Sequence, residues 1–364
     1  MKRRNLLNFA APNTRKTVAV AVPRPASAGA AQPAVNWRMA TSWPKSADIV
    51  FGAITTICQR VSTATGGRFT IVPYAVDEIV SAPGILDAVS EGIVECGHTS
   101  GHYYLDRNPS LAFAASVPFG LNPQQQNAWL YEGGGLEAVQ NLYADFGILS
   151  FPAGNTGTQM GGWFRRKIET VADLEGLKMR IPGLGGRVMS KLGVDVRDIP
   201  AHKIATALID GEIEATEWIG PHDDEKMGLH RAAPFYYYPA WWSPSETFDL
   251  LVHRNSWDTL PPEYQEILKT AAMEANVMMV ARYHIANGEA LQRFVVGDTQ
   301  LLPYSDAILT AARDAAFELY EETAARDATF RQIYEPWKQF RTRVYRWNRV
   351  NEIGFAQFAF NSTD

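Results

Sequence analysis

From Asn36 onward, short apolar or alternating runs are separated by longer stretches with apolar residues every three or four positions, and Gly or Pro marks most changes. WRMATSW (37–43) alternates as a strand and leads through Pro44 into a helix over 48–64, and GRFTIVPYA (67–75) is the next strand after a Gly-Gly turn. That is a β-α-β unit. SAPGILDAVSEGIVECGHTS repeats it, with Pro83 near a helix start, a break at Gly92 and a strand over 93–98. Further strands are predicted at 112–117, 146–154, 161–166, 178–182, 194–199, 214–218, 235–239 and 247–253. Helices fall between them, which predicts an α/β fold with a mostly parallel sheet covered on both faces.

After Asn255 the pattern is helical only. Pro261-Pro262 opens a helix that runs to about Phe294, some 30 residues and on the order of 45 Å, long enough to span more than one domain. A second helix covers 305–326, and a third, 330–353, carries Trp337, Phe340, Val344, Trp347 and Val350 at spacings of three and four. That stripe needs a partner surface. The interleaved Lys338, Arg341, Arg343, Arg346 and Arg349 invite a membrane or nucleic-acid reading. Docking on the protein's own fold, or on a second copy, buries the same aromatics while leaving the arginines in water, and is preferred.

Composition narrows the class. The 364 residues suffice for two domains, and 46% hydrophobic content with no run of about 18 apolar residues predicts no transmembrane helix. A net charge of -5 gives no electrostatic footprint for nucleic acid. Cys58 and Cys96 each lie in apolar patterns and are expected to be separate buried thiols. The first 35 or so residues differ from the rest. Lys2-Arg3-Arg4 followed by Asn5-Leu6-Leu7 resembles a twin-arginine export signal, and Pro25-Ala26-Ser27-Ala28 supplies small residues suited to cleavage. Pro12, Arg15 and Lys16 interrupt the apolar region, which leaves a general secretory signal or a basic tail as alternatives.

Familiar catalytic signatures are missing from the sequence. GLGGRV (183–188) lacks the third glycine of a dinucleotide loop, and no Gly-Lys-Ser/Thr phosphate loop occurs. GHTSGH (97–102) sets Ser100 between His98 and His102 without the spacing of a nucleophile elbow. PHDDEKMGLH (221–230) has the composition of a metal cluster but reads better as a helix start, with acids in the first turn after Pro221. What remains is a set of polar groups at strand ends. GNTGTQMGGWF (154–164) puts Asn155 and Gln159 in a Gly-rich segment, and LKMRIPG (177–183) ends a strand at Arg180, whose planar fork suits a carboxylate. ATEWIGP (215–221) ends a strand at Glu217 and Trp218, and SPSETFDL (243–250) brings Glu246 to a strand start. Taken singly, each is equally explained as a surface or capping residue.

Together the segments resemble a known family. Gly154 to Gln159, LKMR-x-PG, LIDGEIEATEW and the long helix after Pro-Pro are similar to the solute-binding receptors of tripartite ATP-independent periplasmic (TRAP) transporters, over nearly the whole chain after residue 36. Glu217-Trp218-Ile219-Gly220-Pro221, VPFGLNPQQQNAW (117–129) and Gly133-Gly134-Gly135 resemble the subgroup that binds small 2-oxo or 2-hydroxy acids with a metal ion. The resemblance implies a two-domain periplasmic-binding-protein-like fold with an interdomain ligand cleft, a long domain-spanning helix and a C-terminal helical extension. The expected division is a leader over 1–35, a first domain from 36–155 and 250–300, a second from 156–249, and C-terminal helices over 301–364. It also implies that Arg180 pairs with the substrate carboxylate, and that Gln159, Glu217 and the Trp218 carbonyl reach the metal, a shell extended here to Glu246. Asn155, Tyr103, Tyr104 and Trp218 are further candidates for the ligand pocket. All-oxygen donors point to Na⁺ or Ca²⁺ rather than zinc. The expected partners are a small organic acid, the TRAP membrane subunits and a second copy bound through the C-terminal helix, all in the periplasm. The rival from another class is a metal-dependent lyase acting on the same acids.

Overall fold

The computed structural model describes residues 32–361; the proposed leader and its export motif lie outside the described residues, apart from its last few positions. Among the described residues eleven strands follow one another: β1 (Val35–Thr41), β2 (Phe69–Tyr74), β3 (Cys96–Thr99), β4 (Ile148–Asn155), β5 (Trp163–Phe164), β6 (Lys178–Arg180), β7 (Asp195–Arg197), β8 (Ala215–Thr216), β9 (Phe235–Tyr238), β10 (Thr247–His253) and β11 (Gln300–Pro303). They form two sheets, one ordered β2-β1-β3-β10-β4 and the other β11-β9-β5-β8-β6-β7. Each sheet is the floor of one lobe.

The expectation of mostly parallel strands holds in both sheets, with one reversed strand in each. β10 runs antiparallel to both β3 and β4, and β5 runs antiparallel to both β8 and β9. The reason is topological. The chain leaves the first sheet after β4 and returns to it as β10, so the two crossing segments travel in opposite directions side by side. Thr156 N–H donates to the Glu246 carbonyl at 3.0 Å, and Gly161 N–H donates to the Tyr237 carbonyl at 2.7 Å.

Two further differences concern short runs. The strand predicted over 112–117 is instead a helix at Ala112–Ala115, all four residues buried. A fully buried apolar run gives no period to read, and its three alanines favour helix. Conversely β11, a four-residue edge strand paired with β9, shows no alternation by which it could be recognised.

The long helix spans Pro262–Val296, 35 residues, or roughly 50 Å at 1.5 Å per residue. Leu268, Ala272, Met279 and Tyr283 pack into the first lobe's core, while Phe294 joins the core of the second. Its contact with β4 is close: a Cβ on Gly154 would stand 2.5 Å from Met279 Cε. The C-terminal helix Ala328–Val350 buries Phe330, Ile333, Tyr334 and Trp337, but Trp347 and Val350 are 63% and 77% exposed. Thus only the first half of the predicted stripe is docked on this fold. Arg341, expected in water, instead donates through Nε to the Phe119 carbonyl at 2.6 Å. Cys58 and Cys96 are free thiols. Among the described residues no helix is long and apolar enough to cross a membrane.

A buried acid sits inside the first lobe. Asp249 on β10 accepts from Ser150 Oγ at 2.9 Å and Tyr143 Oη at 3.1 Å, and burial pushes its carboxyl up to about 7. Its folded value exceeds the ordinary 3.8, so its contribution to stability is present at low pH and lost as pH rises through about 7. Asp249→Asn, neutral throughout, should therefore gain stability relative to the parent between pH 5 and pH 8, by roughly 2 kcal/mol. Urea melts at the two pH values measure this, and a difference between the two proteins that does not change with pH would refute it.

Candidate functional site

The site begins with the register of two short strands. β6 pairs with β8 so that Arg180 stands opposite Thr216, and Glu217 N–H donates to the Arg180 carbonyl at 3.2 Å. This places the two side chains together. Arg180 Nη1 donates to Glu217 Oε1 at 2.6 Å and to the Glu217 carbonyl at 3.2 Å, while the guanidinium lies over the Trp218 ring, 5.3 Å from its centroid. The Gly-rich crossing segment permits the fit from behind: Gly162 has φ of 96°, and a Cβ there would lie 2.7 Å from the Thr216 carbonyl oxygen.

The opposite wall comes from the first lobe. β3 ends at Thr99, and Ser100 then caps a short turn over Gly101–Tyr104. Ser100 Oγ donates to Glu246 Oε1, which also accepts from His102 Nδ1 at 2.8 Å. Trp43 follows β1, packs on Phe248 at 4.4 Å between centroids, and donates from Nε1 to His98 Nδ1 at 2.9 Å. His98 must then carry its proton on Nε2, which faces the Ala153 carbonyl at 3.3 Å; burial lowers its pKa to about 4, so it is a neutral structural ring.

Between the walls lies a cavity of about 90 Å³, well below the roughly 300–1,000 Å³ of drug-sized pockets. Six of the sequence candidates line it: Tyr103, Gln159, Arg180, Glu217, Trp218 and Glu246. Asn155 and Tyr104 do not. Asn155 is buried behind the wall, donating to Thr247 Oγ1 at 3.1 Å and accepting from Gly157 N–H at 2.8 Å, and so it holds the start of the crossing segment. Tyr104 turns into the core, where its hydroxyl pairs with Thr99 Oγ1 at 2.8 Å. The sequence reading missed His102, Trp43, Trp242 and Ser243 at the cavity. His102 lay in the GHTSGH segment, considered there only as a nucleophile motif. Trp242 and Ser243 lie four and three residues before Glu246, and their Nε1 and Oγ are buried without a hydrogen-bond partner among the described residues.

Electrostatics sets Glu217 apart. Burial pushes its carboxyl up to about 7, against the lowering effect of Arg180 and His102, with Glu246 adding to the rise. Gln159 Nε2 donates to Thr156 Oγ1 at 3.0 Å, while its Oε1 and the Trp218 carbonyl take no hydrogen bond among the described residues. A carboxylate, an amide oxygen and a backbone carbonyl are the donor set of a hard cation. Among the described residues no cluster of three or more His, Cys, Asp or Glu could hold a metal, so any ion here would draw on neutral oxygens beside the Glu217 carboxylate. The acidic segment after Pro221 is the first turn of a helix, Pro221–Met227. Its Asp224 accepts from Trp163 Nε1 at 2.8 Å and Tyr236 Oη at 2.7 Å.

Comparison with known proteins gives a consistent answer. Residues 39–327 match the DctP family, described as bacterial extracellular solute-binding protein, family 7. The chain is 55% identical, over the whole length of both, to the monocarboxylate 2-oxoacid-binding periplasmic protein of Nostoc sp. PCC 7120. A TRAP transporter solute-binding protein from Bordetella bronchiseptica RB50 superposes with a TM-score of 0.87 at 40% identity, covering 90% of this chain and 98% of that one. That crystal is a mixed-occupancy dimer with copurified calcium and picolinate in one active site. A TRAP periplasmic solute-binding protein from Pseudoalteromonas atlantica T6c, with sodium and pyruvate bound, gives 0.86 at 36% identity over 91% of this chain and 99% of that one. The chain therefore belongs to the DctP family of extracellular solute-binding proteins, the periplasmic receptors of TRAP transporters, and is not an enzyme.

Proposed function

We propose that this receptor captures a small 2-oxo or 2-hydroxy monocarboxylate together with Na⁺ or Ca²⁺ and delivers it to the TRAP membrane subunits. The observation that carries this reading is Arg180 set against an all-oxygen donor set in a cavity of about 90 Å³. Arg180 would grip the ligand carboxylate, and Glu217, Gln159 and the Trp218 carbonyl would hold the ion, which would favour an acid able to chelate it. The ion supplies charge neutralisation when bound. With an anionic ligand, Arg180, Glu217 and Glu246, the formal charges sum to zero for a divalent ion and to -1 for a monovalent one, which makes burial tolerable. Picolinate and pyruvate, bound by the two neighbours above, share this chelating geometry of a carboxylate beside a donor atom.

The finer assignments follow from the same reading. Glu246 belongs to the site, though Ser100 and His102 already occupy its Oε1. Tyr103 and Trp218 supply apolar wall, and Asn155 and Tyr104 support the site from behind. The first domain comprises 36–155 and resumes at Glu246 rather than at 250, because β10 shares a sheet with β1 to β4. The second comprises 156–245 together with β11, which pairs with β9, and the C-terminal helices follow. The exposed Trp347, Val350, Phe355, Phe358 and Phe360 support homodimerisation through the C-terminal helices. Export by a twin-arginine-like or general secretory signal is supported by Lys2-Arg3-Arg4 and Pro25-Ala26-Ser27-Ala28.

Arg180→Ala should weaken binding of pyruvate or lactate at least a hundredfold in calorimetry, about 3 kcal/mol, with the variant still folded by thermal melt. Retained affinity would remove the carboxylate clamp, and native mass spectrometry of the parent protein should show acid and ion leaving together. Glu217 binds a cation only when ionised, and its carboxyl sits at about 7. Calcium affinity should therefore be full above that pH and fall about tenfold per unit below it, where binding releases one proton. A flat profile between pH 5.5 and 8 would exclude Glu217 from the ion's shell.

A further inference from the structure

His102 is the one cavity residue whose orientation is fixed by a hydrogen bond that also fixes its proton. A carboxylate oxygen only accepts, so the bond from Nδ1 to Glu246 Oε1 at 2.8 Å puts the proton on Nδ1. In the neutral ring, Nε2 is then a lone-pair acceptor. The ring cannot easily turn away. Glu246 Oε1 is anchored by Ser100 Oγ, the His102 backbone N–H reaches back to Ser100 Oγ at 3.4 Å, and Tyr103 packs on the imidazole with centroids 4.0 Å apart. His102 Nε2 makes no hydrogen bond among the described residues, and the side chain is 25% exposed at the cavity wall.

Arg180 and Glu217 form the wall contributed by the second lobe, and His102 and Glu246 the facing wall contributed by the first. In a cavity of about 90 Å³, an acid held by Arg180 must touch both. A 2-hydroxyl carries a proton that needs an acceptor once water is excluded; a 2-oxo oxygen carries none. We propose that Ser100, Glu246 and His102 form a reader of the ligand's C2 substituent. Glu246 and Ser100 are positioning residues that lock the Nδ1–H tautomer, and His102 Nε2 accepts the hydrogen bond of a 2-hydroxy acid. The inference rests on the solute reading above and adds the residue that admits 2-hydroxy acids beside 2-oxo acids.

The test is calorimetric titration of lactate and pyruvate, each in saturating calcium chloride, on the full-length mature protein and its variants. In His102→Phe the ratio of lactate to pyruvate affinity should fall about tenfold, the value of one buried neutral hydrogen bond. His102→Gln, whose amide oxygen is an acceptor, should recover part of it. Glu246→Gln should also lower the ratio, because an amide no longer dictates the tautomer. An unchanged ratio in His102→Phe, with both affinities reduced together or not at all, overturns the proposal. So does a Glu246→Gln protein that loses affinity for calcium alone while keeping the parent ratio, since Glu246 would then serve the ion rather than the ring. If the parent protein binds neither acid, the solute reading itself fails and the proposal falls with it, an outcome distinct from a parent that binds both with a ratio the variants do not move.

Discussion

The ion pair between Arg180 and Glu217 is the constraint around which the second lobe is arranged. Two charges withdrawn from water lose several kcal/mol of solvation each, and only close geometry with further hydrogen bonds compensates. Here the compensation is built into the backbone: β6 and β8 lie side by side, the Glu217 N–H and carbonyl both bond to Arg180, and Trp218 covers the guanidinium. The match is one-sided. Arg180 engages only Oε1 of Glu217, and burial still holds the carboxyl near 7. The wall therefore retains a demand for positive charge, and beside it stands an amide oxygen without a donor.

Meeting that demand requires two lobes that close. The crossing segments and the Pro262–Val296 helix join the lobes at the back, and ion pairs between them stand at the rims. Asp48, just after β1 and Trp43, pairs with His222 at 3.0 Å and with Lys226, both on the helix that follows Glu217-Trp218. Asp106, beyond β3, pairs with Arg187 at 3.0 Å on the helix that follows Arg180. Each latch thus lies a few residues along the chain from a cavity wall. Exposed pairs of this kind are screened by water and each contributes little. Such small increments bias a hinge toward closure without preventing release, as reversible capture requires.

Much of this was legible in the chain. Strand ends are marked by Pro and Gly, so Arg180, Glu217 and Glu246 could be placed at the tips where ligands bind in α/β folds; the choice of Gln159, Glu217 and the Trp218 carbonyl as a donor set came from the family resemblance, and residue types gave only its preference for a hard ion. The long helix was visible from its Pro-Pro start and unbroken pattern. Tertiary direction was not legible. Asn155 and Tyr103-Tyr104 are polar or amphipathic residues in the right loops, but whether a side chain turns to the cavity or the core depends on partners far along the chain: Thr247 for Asn155, Ala82 and Thr99 for Tyr104. The same holds for His102, whose role hangs on Glu246, 144 residues away. The one reversed strand in each sheet was hidden as well, because two-residue strands such as β5 and β8 leave no period, and the double crossing between lobes is a property of topology rather than of local pattern.

A displaced pKa does not by itself mark the site. Asp224, Asp249 and Glu217 are all buried, and burial raises each to about 7. Their partners differ. Asp224 is satisfied by an indole N–H and a phenol, and Asp249 by a serine and a phenol, so both are tied to neutral donors inside a core. Neither borders the cavity. Glu217 is paired with a cation on one oxygen and opens on a cavity lined also by Gln159 and Trp218, whose amide and backbone oxygens take no hydrogen bond among the described residues. Neutral donors fix a buried acid in place and lower its need for a counter-ion; a single cationic partner shared with a cavity leaves that need in part unmet. The distinction between a structural acid and a ligand-bearing one therefore lies in which oxygen remains unsatisfied and what space it faces.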